Sequence, residues 1–256
     1  MLLAIDAGNT NIIFAVFDGK KIRGQWRMAT DAQRTADEYG VWLLQLMALA
    51  GIPPKKIKAA IMSCVVPQAT FPLRMLARKY FSTELLIIGE PNVKLGIKAK
   101  IDRPREVGAD RLVNAVAAWQ RHKKPMIIVD FGTATTFDVV DGKGDYVGGV
   151  IAPGVHLSLE SLHRAAAKLP NVAIERPAQV IGKDTIPAMQ SGIYYGYVGL
   201  IEGIIARIKE EFGQKMQVIA TGGLAPLFVK ATPAIDRLEP DLIIEGLRYI
   251  YERNKR

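Results

Sequence analysis

Cysteine is almost absent from this 256-residue chain: Cys64 stands alone, which excludes an intramolecular disulfide framework and a thiolate metal cluster. Long apolar runs are missing too. None reaches the ~20 residues that span a bilayer, and the apolar start Met1–Ile5 runs straight into Asp6, too short for a signal peptide. These features predict a cytoplasmic protein with no membrane partner. No block of low hydrophobicity and high charge marks disorder, apart from a fraying end at 252–256. The net charge of +9 suits anionic ligands, but the basic residues are scattered rather than gathered into a stripe, so no nucleic-acid partner is expected. Neither GxxxxGK[ST] nor GxGxxG occurs, which argues against P-loop and Rossmann dinucleotide sites. No Gly-x-Ser-x-Gly supports a serine hydrolase, and His122, His156 and His163 have no convincing metal or triad spacing.

What is present is a repeat. Ala4-Ile5-Asp6-Ala7-Gly8-Asn9-Thr10-Asn11 leads through an apolar run to Asp18-Gly19-Lys20. Ile128-Val129-Asp130-Phe131-Gly132-Thr133-Ala134-Thr135 leads likewise to Asp141-Gly142-Lys143. The offset is 130 − 6 = 124 at the first aspartate and 141 − 18 = 123 at the second. Each copy reads as strand, Asp-x-Gly turn, strand and Asp-Gly hairpin, with third strands at Ile22–Met28 and Tyr146–Ile151. Thr35-Ala36-Asp37-Glu38 reads as a capping box opening an amphipathic helix that Gly51 and Pro53 end. A strand at 59–66, a helix near 68–80 and a strand at 84–88 complete a βββαβαβ half. The second half has helices near 155–167 and 187–212, a strand at 216–221 and a closing helix near 242–253. The expectation is an α/β protein of two duplicated domains, 1–118 and 119–256, with an interdomain cleft suited to a small ligand.

Both Asp-x-Gly turns carry phosphate-handling chemistry. Glycine lets backbone amides turn towards a ligand, while Asn and Thr add neutral donors. The carboxylate itself suits a hydrated Mg²⁺ that bridges phosphate oxygens. A hairpin turn satisfying only its own backbone remains the competing reading of Asp6–Asn11. Asp130-Phe131-Gly132-Thr133-Ala134-Thr135-Thr136 sets three hydroxyls beside a carboxylate, though Thr favours strands anyway. Thr221-Gly222-Gly223 follows a strand and permits close approach of a nucleotide, or simply a turn needing positive φ. Gly108-Ala109-Asp110-Arg111 opens an amphipathic helix. Asp110 reads there as an N-cap with Arg111 as a surface charge, or as a carboxylate base beside an anion clamp.

In this order, Asp6-x-Gly8-Asn9-Thr10-Asn11, Gly108-x-Asp110-Arg111, Asp130-x-Gly132-Thr133 and Thr221-Gly222-Gly223 resemble the type III pantothenate kinases over essentially the whole chain. The resemblance implies the RNase H-like fold of actin and sugar kinases, and transfer of the γ-phosphate of ATP to pantothenate, the first step of coenzyme A synthesis. It implies ATP binding by Asp6, Ala7, Gly8, Asn9, Thr10, Asn11, Ile12, Ile13 and Thr133, with Gly222 and Gly223 near the nucleoside. It places substrate on Gly108, Ala109, Asp110, Arg111 and Thr185, with Asp110 as the catalytic base. Asp130 would hold a monovalent cation, K⁺ or NH₄⁺, Asp6 would meet Mg²⁺ through water, and the chain would form a homodimer. One departure is Ile101, which stands where the family often has a tyrosine. Another small-molecule kinase of this fold, or a non-catalytic transcriptional accessory factor, are the alternatives; Asp110 and both phosphate loops are intact.

Overall fold

A computed structural model describes residues 1–166 and 169–255; the expected end of one helix at Ala167 and the terminal Arg256 lie outside the described residues. The chain divides into two compact units, Met1–Arg121 with Leu242–Arg256, and His122–Asp241. In the first unit, β1 (Leu2–Ala7), β2 (Asn11–Asp18) and β3 (Lys21–Ala29) form an antiparallel meander. Helix α1 (Ala36–Leu49), strand β4 (Ala59–Cys64), helix α2 (Pro67–Phe81) and strand β5 (Leu85–Ile87) follow. The sheet order is β3-β2-β1-β4-β5, with β4 and β5 parallel to β1.

The sequence explains this layout. Strand β1 is apolar on both faces and lies in the centre, buried throughout except at Asp6. Strand β3 alternates exposed Lys21, Arg23, Gln25 and Arg27 with half-buried Ile22, Trp26 and Met28, as befits an edge. The expected capping box holds: the Thr35 side chain accepts from the Glu38 backbone N–H, and the Glu38 carboxylate accepts from that of Thr35 at 2.7 Å. Helices α1 and α2 cover one face through Tyr39, Leu43, Met47, Leu73 and Leu76.

Helix α3 (Ala109–His122) ends the first unit's continuous stretch of chain, and in the second unit β6 (Met126–Phe131), β7 (Ala134–Val140) and β8 (Tyr146–Pro153) repeat the meander. Helices α4 (Val155–Ala165) and α5 (Thr185–Phe212), strand β9 (Gln217–Gly222), the short α6 (Ala225–Val229) and strand β10 (Arg237–Leu238) complete it. Its order, β8-β7-β6-β9-β10, has the same pairing senses as the first sheet. The expected duplication of an α/β unit is therefore observed.

Helix α7 (Leu242–Asn254) departs from the expected 118/119 division. Its Ile244, Leu247 and Ile250 pack with Val113 and Val116 of α3 on Leu2, Ala4 and Phe17, so the chain's last helix belongs to the first unit. Apolar spacing marks a helix's buried stripe but not which sheet receives it.

The core of the second unit centres on Phe228 of α6. It is fully buried, stacked on Phe131 at 5.2 Å and close to Tyr194 and Tyr197. Phe228→Ala should cost about 3–5 kcal/mol in stability, read from urea unfolding midpoints. A loss below ~1 kcal/mol would mean that this ring cluster does not anchor the unit.

Candidate functional site

The two Asp-x-Gly hairpins differ by one residue, which explains why the repeat offset changes. Ala7 pairs with Ile12 around the loop Gly8–Asn11, whereas Phe131 pairs with Thr135 around the shorter loop 132–134. Each loop closes on itself: the Gly8 N–H donates to the Asn11 carbonyl at 3.0 Å, and the Gly132 N–H to the Ala134 carbonyl at 3.1 Å. In the first loop, Asn9 and Thr10 are exposed while Asp6, Gly8, Asn11 and Ile13 are half-buried. Ala7 and Ile12 are fully buried with side chains in the core, so only their backbones could meet a nucleotide.

Sequence reasoning missed what braces this loop. Thr30, at the end of β3, donates its hydroxyl to the Gly8 carbonyl at 2.6 Å, and its N–H to the Thr10 carbonyl at 3.0 Å. The signal is a side chain twenty-two residues away in sequence, and no local pattern announces it. Thr30→Val should remove about 1 kcal/mol of bracing and, if this loop holds ATP as the family resemblance implies, weaken ATP binding roughly fivefold, measured by calorimetric titration. Unchanged affinity would show that the loop holds its shape without Thr30.

In the second unit, strand alternation separates the three threonines. Thr133 is exposed in the loop, Thr135 turns inward and is fully buried, and Thr136 pairs across the ladder with Asp130. Among the described residues the Thr135 hydroxyl has no partner, so it is a strand residue of the core rather than a third oxygen at the site. On the other side of Asp130 its parallel register partner is Thr221, which leads into the glycine pair. Gly222 sits at φ 93°, and a Cβ there would fall 2.5 Å from Asp130 Oδ1 and 2.7 Å from the Phe131 backbone. Residues 130, 221 and 222 therefore form one patch; Gly222 is half-buried and Gly223 exposed.

At the head of α3, Asp110 is the second helical residue, not the cap. Its Oδ1 accepts the Arg111 N–H at 2.8 Å, so it also serves a helix-end amide. A Cβ on Gly108 would lie 2.5 Å from Asp110 Oδ1, which gives the Gly-x-Asp spacing its reason: the carboxylate folds back over a residue without a side chain. Burial pushes the Asp110 carboxyl up from its ordinary value. Hydrogen bonding from the Arg111 N–H and the Arg111 charge oppose that rise without cancelling it. A half-buried carboxylate of raised basicity beside a guanidinium can accept a proton from a hydroxyl on an anionic substrate. Thr185 is exposed and is the first residue of α5.

The donor sets test the implied ions. Among the described residues no three His, Cys, Asp or Glu side chains cluster for a metal. Asp6 offers one carboxylate at a strand end, a fit for Mg²⁺ that keeps its waters. Asp130 lies between Thr136 and Thr221 in register, an all-oxygen set fit for a hard cation.

Other residues resolve as structure. Tyr194 and Tyr197 are buried, and the Tyr197 hydroxyl donates to the Pro153 carbonyl at 2.6 Å, so neither side chain is open to a substrate. His122, the last residue of α3, is paired rather than solvated. It lies 2.8 Å from Glu239, both side chains largely buried. A partner 117 residues on is invisible to spacing.

Comparison with known proteins now decides the family. The family model described as type III pantothenate kinase matches residues 2–207. This chain belongs to the type III pantothenate kinase family. A type III pantothenate kinase of Paramagnetospirillum magneticum is 62% identical over 99% of this chain and 98% of its own. One of Rhodospirillum rubrum is 63% identical over 100% and 99%. Among solved structures, a Campylobacter jejuni protein assigned as a Baf family transcriptional activator aligns with TM-score 0.61 at 18% identity, covering 98% of each chain. A Sinorhizobium meliloti protein assigned as a 2-dehydro-3-deoxygalactonokinase aligns with TM-score 0.61 at 13%, covering 99% of this chain and 96% of that one. At those identities the likeness is one of fold alone, and it agrees with the duplicated α/β unit described above.

Proposed function

We propose that this type III pantothenate kinase family member transfers the γ-phosphate of ATP to the primary hydroxyl of pantothenate, giving 4′-phosphopantothenate for coenzyme A synthesis. The observation that carries the reading is the Gly108–Arg111 turn. A carboxylate made more basic by burial stands next to a guanidinium, in a chain aligned end to end with pantothenate kinases of over 60% identity.

In this reading the Asp6–Ile13 loop and Thr133 hold the ATP phosphates, with Gly222 and Gly223 against the nucleoside. Arg111 and Thr185 bind pantothenate, Arg111 through the carboxylate, with Gly108 and Ala109 lending backbone. Asp110 accepts the proton of the attacking hydroxyl. Asp6 would hold Mg²⁺ through water, and Asp130 a monovalent cation, K⁺ or NH₄⁺. When bound, these ions supply neutralisation of the phosphate charge. The residues supply alignment, which phosphoryl transfer chiefly needs.

A cytoplasmic homodimer completes the proposal. Among the described residues most exposed large apolar side chains fall between Val150 and Ile186, including Ile151 and Ile181 at 64% and 80% exposure. Light scattering after size exclusion tests the dimer, and a monomer at micromolar concentration would overturn it.

The function is tested by coupled ADP release with pantothenate against other hydroxy acids and sugars, with K⁺, NH₄⁺ or neither. Pantothenate-dependent release is expected. Its absence under every cation, or a faster sugar, would overturn the assignment.

A further inference from the structure

The duplication supplies an internal control. Register matches Asp130 opposite Thr136 with Asp6 opposite Ile13, and Ile128 opposite Asp138 with Ala4 opposite Ala15. It also matches Val140 opposite Tyr146 with Phe17 opposite Ile22. So where the first unit carries Ile13, Ala15 and Ile22, the second carries Thr136, Asp138 and Tyr146. The fold at these positions is satisfied by apolar side chains, and the polar trio answers some other need.

The trio is wired in one direction. Tyr146, 1% exposed, donates its hydroxyl to Asp138 Oδ1 at 3.0 Å. Thr136 donates its hydroxyl to Asp138 Oδ2 at 3.1 Å, and Asp138 is fully buried. A hydroxyl whose single proton is committed to a carboxylate has only lone pairs left to offer. Thr136 is half-buried and shares a sheet face with Asp130, so a lone-pair oxygen and a carboxylate stand side by side. That pair repels phosphate oxygens and attracts a cation. A neutral, freely rotating threonine would have no such preference.

We infer that Thr136 is an oxygen ligand of the Asp130 cation site, and that Asp138 and Tyr146 are positioning residues that fix its hydroxyl as an acceptor. The inference rests on the cation role proposed for Asp130. It adds a specificity element, because an outer partner that fixes a ligand's orientation sets the strength of the site.

The test titrates the full chain with K⁺, NH₄⁺ or Na⁺ and reads affinity for Mg²⁺ with a non-hydrolysable ATP analogue by calorimetry, with ²⁰⁵Tl⁺ resonance shifts as a second readout. Thr136→Val should raise the K⁺ concentration of half-effect by about tenfold or more, and Tyr146→Phe by about threefold. Thr136→Ser, which restores the hydroxyl, should return within about twofold of wild type. Damage to the fold alone would lower the thermal midpoint without moving the cation midpoint. An unmoved cation midpoint in Thr136→Val, alongside loss of the response in Asp130→Asn, would overturn the inference and leave the Asp130 assignment standing. A serine variant that fails to recover would assign the effect to shape and overturn it as well. Nucleotide affinity indifferent to all three cations in the wild type would overturn both.

Discussion

Asp110→Asn should lower kcat by about 10²–10⁴-fold while leaving ATP affinity within about twofold, because a general base acts on the acceptor hydroxyl and not on the nucleotide. The same change should raise the thermal midpoint. The sign follows from burial, which lifts the Asp110 carboxyl above its ordinary value in the folded chain. Between the unfolded and folded values, the folded state binds the proton more tightly. Stability from this group therefore falls as pH rises through that window, and above the folded value the charged side chain is a standing penalty. Asparagine keeps the shape and removes the charge. Calorimetry and stopped-flow turnover on one protein preparation test both halves. The acid limb of wild-type kcat/KM should also be displaced upward from that of an ordinary aspartate and vanish from the residual activity of the variant. Unchanged turnover would reject Asp110 as the base. A lowered midpoint would show that its hydrogen bond to the Arg111 N–H outweighs the cost of burial.

Much of this architecture was legible in the residues. Strand β1 announces itself as Leu2-Leu3-Ala4-Ile5, and α1 through the Thr35–Glu38 box, because both signals are local in the chain. The repeat disclosed the duplicated unit, since paired hairpins need the same turn chemistry wherever they fold. Features set by distant partners were hidden. Helix α7 returns to the first unit, Thr30 reaches Gly8, and His122 meets Glu239. No periodicity encodes a partner 22 or 117 residues away. The candidate site divides along the same line. Asp6, Asp110 and Asp130 were readable because Asp-x-Gly and Gly-x-Asp are contiguous. The trio Thr136–Asp138–Tyr146 needs the β7–β8 pairing before it becomes a network.

Gly222→Ala should be among the most damaging single changes in the second unit, and Gly223→Ala should separate its causes. Gly222 has φ 93°, where an L side chain costs about 1–2 kcal/mol. Its Cβ would also meet backbone atoms of Phe131 at 2.7 Å, and a strand cannot yield as a flexible side-chain tip can. Gly222 pairs with Phe131 in the ladder, so relief requires β9 to part from β6 beside Asp130. A loss of about 2–4 kcal/mol is expected in urea unfolding, with ATP affinity falling about tenfold or more. Gly223 differs in both respects: its φ is not positive, and a Cβ there would meet nothing within 4 Å among the described residues. Gly223→Ala should leave stability within about 0.5 kcal/mol. If a nucleotide packs against that glycine, as proposed, its methyl stands where the ligand should be, and ATP affinity should still fall several-fold. Full stability with full affinity in Gly223→Ala would move the nucleoside away from this loop. A stable Gly222→Ala would mean that β9 can shift from Asp130 at little cost, and the patch around that carboxylate would lose its claim to be preorganised.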